Sequence, residues 1–245
     1  MRVIRCHVDA DLAPGRTLRL PEEKSLHLLR VLRLRDGDPV TLFNGDGSDY
    51  AARITGMEKK AVELTVDEAH PRDNESPLAI TLLQGVARGD KMDLILQKAT
   101  ELGVRAIQPV MTERTEVKLD ADRAERRITH WRGVVAAACE QSGRTRVPTV
   151  AEPLPLHEAV AALSSESRRL ILDPHRGRAL KALDIDSTRP VVLVIGPEGG
   201  LGERDHRVLA GAGFEGVQLG PRVLRTETAG LAVLAALQAL YGDWA

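Results

Sequence analysis

The residues best suited to holding a ligand lie in VVLVIGPEGGLGERD, Val191–Asp205. An apolar run leads into Gly196-Pro197-Glu198-Gly199-Gly200-Leu201-Gly202, and a helical pattern starts directly afterwards. In an open α/β sheet, ligands bind beyond the carboxyl ends of the strands. Glycine lets the backbone turn sharply and come close to a ligand. The loop is therefore a candidate cofactor site. The dinucleotide fingerprint G-x-G-x-x-G is absent, because Pro197 and Glu198 follow Gly196, and no G-x-x-x-x-G-K-[ST] occurs. A carboxylate inside the loop, Glu198, opposes a phosphate. The pattern points to a ligand without phosphates. The alternative is a glycine turn that merely joins strand to helix.

A second loop echoes the first. VQLGPRVLRTETAGLAVLAAL (Val217–Leu237) sends a strand into Gly220-Pro221, then Arg222-Val223-Leu224-Arg225, then a helix. Thr226 is expected as the N-cap, with Glu227 in the first turn against the helix dipole. That helix is apolar almost all round, through Leu231, Val233, Leu234, Leu237 and Leu240. Such a helix must be covered, either by the rest of the chain or by a second copy of it.

Both loops need strands to carry them. LAITLLQGV (Leu78–Val86), AIQPVM (Ala106–Met111), RLILD (Arg169–Asp173), VVLVIG (Val191–Gly196) and VQLG (Val217–Gly220) read as strands, most of them continuous apolar runs of the kind found in buried parallel sheets. Helices are expected between them over Asp90–Leu102, where Met92, Ile95, Leu96 and Ala99 share one face and Gly103 terminates the run, and over Ala121–Glu140, Arg204–Gly211 and Thr226–Tyr241. Arg123, Arg126, Arg127 and Arg132 give the second of these basic faces. Strands alternating with helices imply a parallel α/β sheet. The first part of the chain differs. VTLFN (Val40–Asn44), YAARITG (Tyr50–Gly56) and AVELTV (Ala61–Val66) alternate about Gly/Asp turns, with one helix opening at Pro21-Glu22-Glu23. AHPRDNESP (69–77) is polar with two prolines, a linker composition. The expected organisation is a small β-rich domain over 1–70, a linker over 71–77 and an α/β domain over 78–245.

Composition narrows the function. The formal net charge is −1 over 245 residues, which argues against histone-like, non-specific nucleic-acid binding. There are two Phe, two Tyr and two Trp. A sheet of aromatic platforms for stacking bases therefore cannot be built, and any RNA must be held by Arg, Lys, backbone and shape. Two lone cysteines, Cys6 and Cys139, make neither a disulfide framework nor a zinc site. No metal is expected. MRVIRCHVDADLAPG lacks the apolar run of a signal peptide, and the longest apolar stretch, near 231–237, is short of the roughly 20 residues of a membrane span. A cytoplasmic protein is expected.

GPEGGL (Gly196–Leu201), Leu219-Gly220 and LRTETA (Leu224–Ala229) resemble the RsmE family of the SPOUT class. So do RGDKM (Arg88–Met92), QKATELG (Gln97–Gly103), EQSGR (Glu140–Arg144), and HLLRVLR (His27–Arg33) with Gly37-Asp38. Where the family often has paired histidines, this chain has Leu26-His27. The resemblance covers nearly the whole chain. It implies a PUA-like domain of the β-barrel kind, then a SPOUT-type parallel sheet with a C-terminal trefoil knot. It implies S-adenosylmethionine-dependent methylation of N3 of a uridine in 16S ribosomal RNA of the small ribosomal subunit, by a homodimer.

On that resemblance, Gly196, Pro197, Glu198, Gly199, Gly200, Leu219, Gly220 and Leu224 would hold the cofactor, mostly through backbone groups, with Leu172 near the adenine. Arg225 would stabilise the uridine oxyanion. Glu227, or a water it orients, would accept the proton. RNA contacts would be basic and distributed: Arg30, Arg33 and Arg35 in the first domain, and Arg88, Lys91, Arg114, Arg132 and Arg144 in the second. Glu140 and Gln141 would read a base edge or cap a helix. Alternatives are a SPOUT methyltransferase acting on another ribosomal or transfer-RNA position, a non-catalytic RNA-binding assembly factor and, more distantly, a nicotinamide oxidoreductase.

Overall fold

The computed structural model describes residues 4–117, 121–173 and 177–244. Tertiary contacts divide the chain into two compact units. One comprises Met1–Glu75 with Cys139–Val147, the other Ser76–Ala138 with Pro148–Ala245.

The first unit is built on the alternation that its sequence shows. Strands β1 (Arg5–His7), β2 (Thr17–Arg19), β3 (Pro39–Phe43), β4 (Ser48–Met57) and β5 (Val62–Pro71) form one sheet in the order β1-β3-β4-β5-β2. β1 runs parallel to β3, and the other pairs are antiparallel. Register shifts at Ala51/Ala52 and Ile54/Gly56 mark irregularities in the long β4–β5 hairpin, which bend a strand and raise its twist. The inward residues Leu42, Ile54, Val62 and Leu64 are buried together with Leu28. Leu28 comes from helix α1 (Glu22–Leu26) as it widens into a π-helical turn over His27–Val31. The buried Ser25 hydroxyl donates to the Leu20 carbonyl and accepts from Val62 N, which pins α1 to β5.

Residues 139–147 complete this unit through polar contacts. The buried Arg144 guanidinium engages Glu75. The Arg5 guanidinium donates to the Arg144 carbonyl. Glu140 accepts from His7 N at 2.8 Å and from Lys24 at 2.9 Å. Cys6 and Cys139 are free and buried, and burial pushes their thiols up to about 11 and about 12. Neither is a thiolate at neutral pH.

The second unit is an eight-stranded parallel sheet. Its elements are β6 (Ile80–Gly85), α2 (Asp90–Glu101), β7 (Ala106–Met111), α3 (Ala121–Ser142), β8 (Thr149–Val150), β9 (Leu154–Pro155), α4 (Leu156–Ala161), β10 (Arg168–Leu172), β11 (Arg178–Ala179), β12 (Val191–Ile195), α5 (Glu203–Gly211), β13 (Glu215–Gln218) and α6 (Thr226–Tyr241). The sheet order is β11-β13-β10-β12-β6-β7-β8, and β9 also pairs with β7. Every residue of β12 is buried, as in a parallel strand covered on both faces. α2 ends as its sequence predicts. Gly103 takes φ +83°, its N–H donates to the Thr100 carbonyl, and Val104 N donates to the Ala99 carbonyl. That is a Schellman end, for which glycine is the residue of choice. α6 packs on α2 and β12 and buries Val233, Leu234 and Leu237, so the chain itself covers one face of that apolar helix.

Besides the placement of residues 139–147 in the first unit, three features depart from the sequence reading. Thr226 is the first helical residue of α6 rather than its cap. Arg225 occupies the cap position, and no side chain caps there. The last strand is Glu215–Gln218, two residues earlier than expected, so Leu219-Gly220 leave the sheet. β8, β9, β11 and α4 were not anticipated, because two-residue strands and a six-residue helix are too short to show a period. No helix among the described residues is long and apolar enough to cross a membrane.

Candidate functional site

The second unit contains a cavity of about 590 Å³ beyond the carboxyl ends of its central strands, a size typical of small-ligand sites. Leu172 and Asp173 enter it from the end of β10, Ile195 from β12, and Leu219-Gly220 from the exit of β13. Arg222 to Glu227 close another side, and Lys91, Arg114 and His206 complete the rim. Two expected loops therefore meet at one cavity.

The first loop is shaped by close backbone approach. Gly200 takes φ +70° and its N–H donates to the Pro197 carbonyl, closing a turn. A Cβ at Gly196 would stand 3.1 Å from the Gly200 carbonyl carbon, so a side chain there would press on the turn that folds over it. Gly199 faces the other way, against Arg114, whose guanidinium donates to the Gly199 carbonyl at 3.2 Å. Gly199 is the one expected cofactor residue that does not line the cavity. The Glu198 carboxylate accepts from Arg88 N at 3.1 Å and lies 3.3 Å from the Lys91 ammonium. Burial pushes that carboxyl upward, but its own backbone N–H, that of Arg88, and Lys91 outweigh this and hold it below the ordinary carboxylate value.

The second side carries the groups that could do chemistry. Arg225 is exposed, lines the cavity and pairs with no carboxylate among the described residues. Glu227 sits in the first turn of α6 with its side chain mostly covered. Its Oε2 is buried and accepts no hydrogen bond among the described residues; the nearest cation is Lys91 at 3.7 Å. An acceptor held without a donor, beside a solvent-facing guanidinium, suits removal of a proton from a ligand whose resulting negative charge the guanidinium meets.

The cavity can be tested against a sulfonium nucleoside. Leu172, Leu219, Leu224 and Ile195 supply apolar walls, and Asp173, Glu198 and Glu227 stand beside Lys91, Arg114, Arg222 and Arg225, which suits an amphipathic ligand that carries charges of both signs. Gly200 has open space where a side chain would stand. The residues fit such a group. Among the described residues no cluster of metal-ligating side chains occurs.

The expected RNA contacts divide into four sets. Arg30, Arg33 and Arg35 are exposed in the first unit, and Arg33 takes the left-handed φ of 55°. Arg88, Arg114, Arg132 and Gln141 are also exposed, though Arg88 pairs with Glu116 and Arg132 Nε donates to the Val150 carbonyl. Arg144 and Glu140 are committed inside the first unit, to Glu75 and to Lys24 with His7 N. Lys91, expected on RNA, instead reaches into the cavity between Glu198 and Glu227. The side chain of Arg123, part of the expected basic helix face, lies outside the described residues. Sequence reasoning missed Asp173, Ile195, Leu201, His206, Arg222, Val223, Thr226 and Ala229 as lining residues. Position beyond a strand end was a usable signal for Asp173, which directly follows Leu172.

Residues 74–238 match the model of an RNA methyltransferase domain, and residues 20–67 that of an RNA methyltransferase PUA domain. The chain is 33% identical to the ribosomal RNA small subunit methyltransferase E of Synechocystis, across 91% of this chain and 73% of the other. It is 30% identical to that of Bacillus subtilis, across 90% and 89%. Among solved structures it resembles the ribosomal RNA small subunit methyltransferase E of Neisseria gonorrhoeae bound to S-adenosyl methionine. There the TM-score is 0.94 and the identity 44%, over 100% of both chains.

Proposed function

The chain belongs to the RsmE family of ribosomal RNA methyltransferases, and from that membership we propose that it uses S-adenosylmethionine to methylate N3 of a uridine in 16S ribosomal RNA. The observation that carries this reading is one cavity bounded by both glycine loops, with Arg225 and Glu227 among the residues that line it.

When bound, S-adenosylmethionine supplies a methyl group on a cationic sulfur. The backbone of Gly196, Pro197, Glu198 and Gly200, with Leu219, Gly220 and Leu224, would hold it, with Leu172 near the adenine. Glu227, directly or through a water, takes the N3 proton, and the freed electron pair forms the new N–C bond as the sulfur–methyl bond breaks and its electron pair returns to sulfur, leaving a neutral thioether. Arg225 meets the negative charge that spreads onto the uracil oxygens once the N3 proton has left and before the methyl group arrives. Lys91 keeps Glu198 and Glu227 from repelling one another. The uridine must leave any base pair, because N3 lies on the Watson–Crick edge. Arg30, Arg33 and Arg35, and separately Arg88 and Arg114, contact phosphates, which position the RNA and make binding weaken with salt. The same reading includes a cytoplasmic location and a second copy of the chain as partner, which the exposed Leu240 and Trp244 at the end of α6 support.

Purified protein incubated with small ribosomal subunits and labelled S-adenosylmethionine tests the reading, with the product nucleoside identified by mass spectrometry. Label recovered as N3-methyluridine is the expected result. Label on another position, or none, would overturn it.

A further inference from the structure

Gln84 is fully buried next to the end of β6, behind the cavity and outside its wall. Its Nε2 donates to the Gly85 carbonyl and to the Thr226 hydroxyl, each at 3.0 Å. The Thr226 hydroxyl donates in turn to the Gly196 carbonyl at 2.6 Å. One residue on, a Cβ at Gly85 would stand 2.5 Å from Pro197 Cδ and 2.6 Å from its nitrogen. The tip of β6 thus touches the first loop through Gly85, and through Gln84 it holds the start of α6, which the second loop enters.

The bond directions follow from proton count. The Thr226 hydroxyl has one proton and gives it to a carbonyl, so the group facing its oxygen must be a donor. That assigns the orientation of the Gln84 amide, and it leaves Gln84 Oε1 buried with no partner among the described residues. A buried acceptor without a donor is destabilising, whereas an apolar side chain of the same shape would carry no such penalty. Packing alone does not favour glutamine here.

We propose that Gln84 and Thr226 are positioning residues for methyl transfer. Through the Thr226 hydroxyl, Gln84 fixes the Gly196 carbonyl against the first turn of α6. This holds Gly196–Gly200 at a set distance from Leu224–Glu227, so that cofactor and proton acceptor keep their register. The inference rests on the reading of the cavity as the S-adenosylmethionine site.

The test compares wild type with Gln84→Met, Thr226→Val and Thr226→Ser, by calorimetry with S-adenosylmethionine, steady-state kinetics on small subunits, and thermal melting. Gln84→Met and Thr226→Val should each weaken cofactor binding roughly tenfold, the scale of a lost buried hydrogen bond. The KM for cofactor should rise in step, with the KM for RNA unchanged. Thr226→Ser should restore wild-type binding, because it keeps the hydroxyl. Gln84→Met should melt close to wild type, since it also removes the unpaired oxygen. Three results would each overturn the inference: wild-type binding in both altered proteins, failure of Thr226→Ser to rescue, or a binding loss that merely follows a lowered melting point. If wild type binds no S-adenosylmethionine, the reading of the cavity itself falls, and this inference with it.

Discussion

The two glycine loops look alike in sequence, each a strand running into Gly-Pro, yet the fold treats them differently. The first, Gly196–Gly202, is held from behind at nearly every residue. Thr226 binds the Gly196 carbonyl, Gly85 abuts Pro197, Arg88 and Lys91 hold Glu198, Arg114 binds the Gly199 carbonyl, and Asp205 accepts from Gly202 N. In the second, residues 220–224 make no hydrogen bond to another described residue, and Val223 is 71% exposed. A densely bonded segment opens rarely, while a sparsely bonded, exposed one opens at low cost. In the proposed reading the first loop is a preformed floor of the cavity, and the second is its more sparsely bonded wall. Preorganisation limits the ordering cost of binding; a loose wall lets a large ligand enter.

The strongest challenge to this division is Arg225→Ala, where the second loop meets α6. Turnover should fall by about 10²-fold or more, the usual loss when a donor to a developing oxyanion is removed, while calorimetry still detects the cofactor. Normal turnover would remove the chemistry from that side of the cavity.

Next is Gly196→Ala. The added methyl meets the Gly200 backbone at 3.1 Å, and overpacking of this kind typically costs about 1–3 kcal/mol. Denaturant unfolding should show that loss, with weaker cofactor binding. Gly220→Ala makes the matched comparison. Its φ of +66° strains an L-residue, but the nearest atom to the added methyl is the tip of Arg222 at 4.0 Å. A loss of roughly 1 kcal/mol is expected from the backbone term alone. Equal losses at the two positions would erase the distinction between floor and wall.

The smallest effect is a pH dependence of the floor. The Glu198 carboxyl is held below its ordinary value of 4.5, so it contributes stability that is fully present above that value and is lost as pH falls through the lower, folded one. Wild type should melt above Glu198→Gln at neutral pH, and the gap should close on titration below 4.5. A gap that stays constant with pH would show that the charge of Glu198 does not hold the loop.

Much of the second unit was legible in its sequence because burial there is periodic or continuous along the chain. Met92, Ile95, Leu96 and Ala99 share the buried face of α2, and Val191 to Ile195 are buried without a break. Gly103 ended its helix for a reason that is local, the left-handed turn. The loop residues were likewise legible, since Gly200 takes a left-handed φ that favours glycine and Gly196 lies against the Gly200 backbone. The roles of Lys91 and Arg144 were not. Both are basic residues in polar stretches, yet Lys91 turns into the cavity and Arg144 is buried on Glu75.

What the sequence by itself determined were the elements, their faces and the places where the backbone must bend, because those depend on the chemistry of neighbouring residues along the chain. What only the tertiary structure decided was partnership: Gln84 with Thr226, Arg144 with Glu75, and segment 139–147 with the first unit. Hydrogen bonds and ion pairs form only within a few ångströms, and no local pattern reports which distant residues the fold will bring that close.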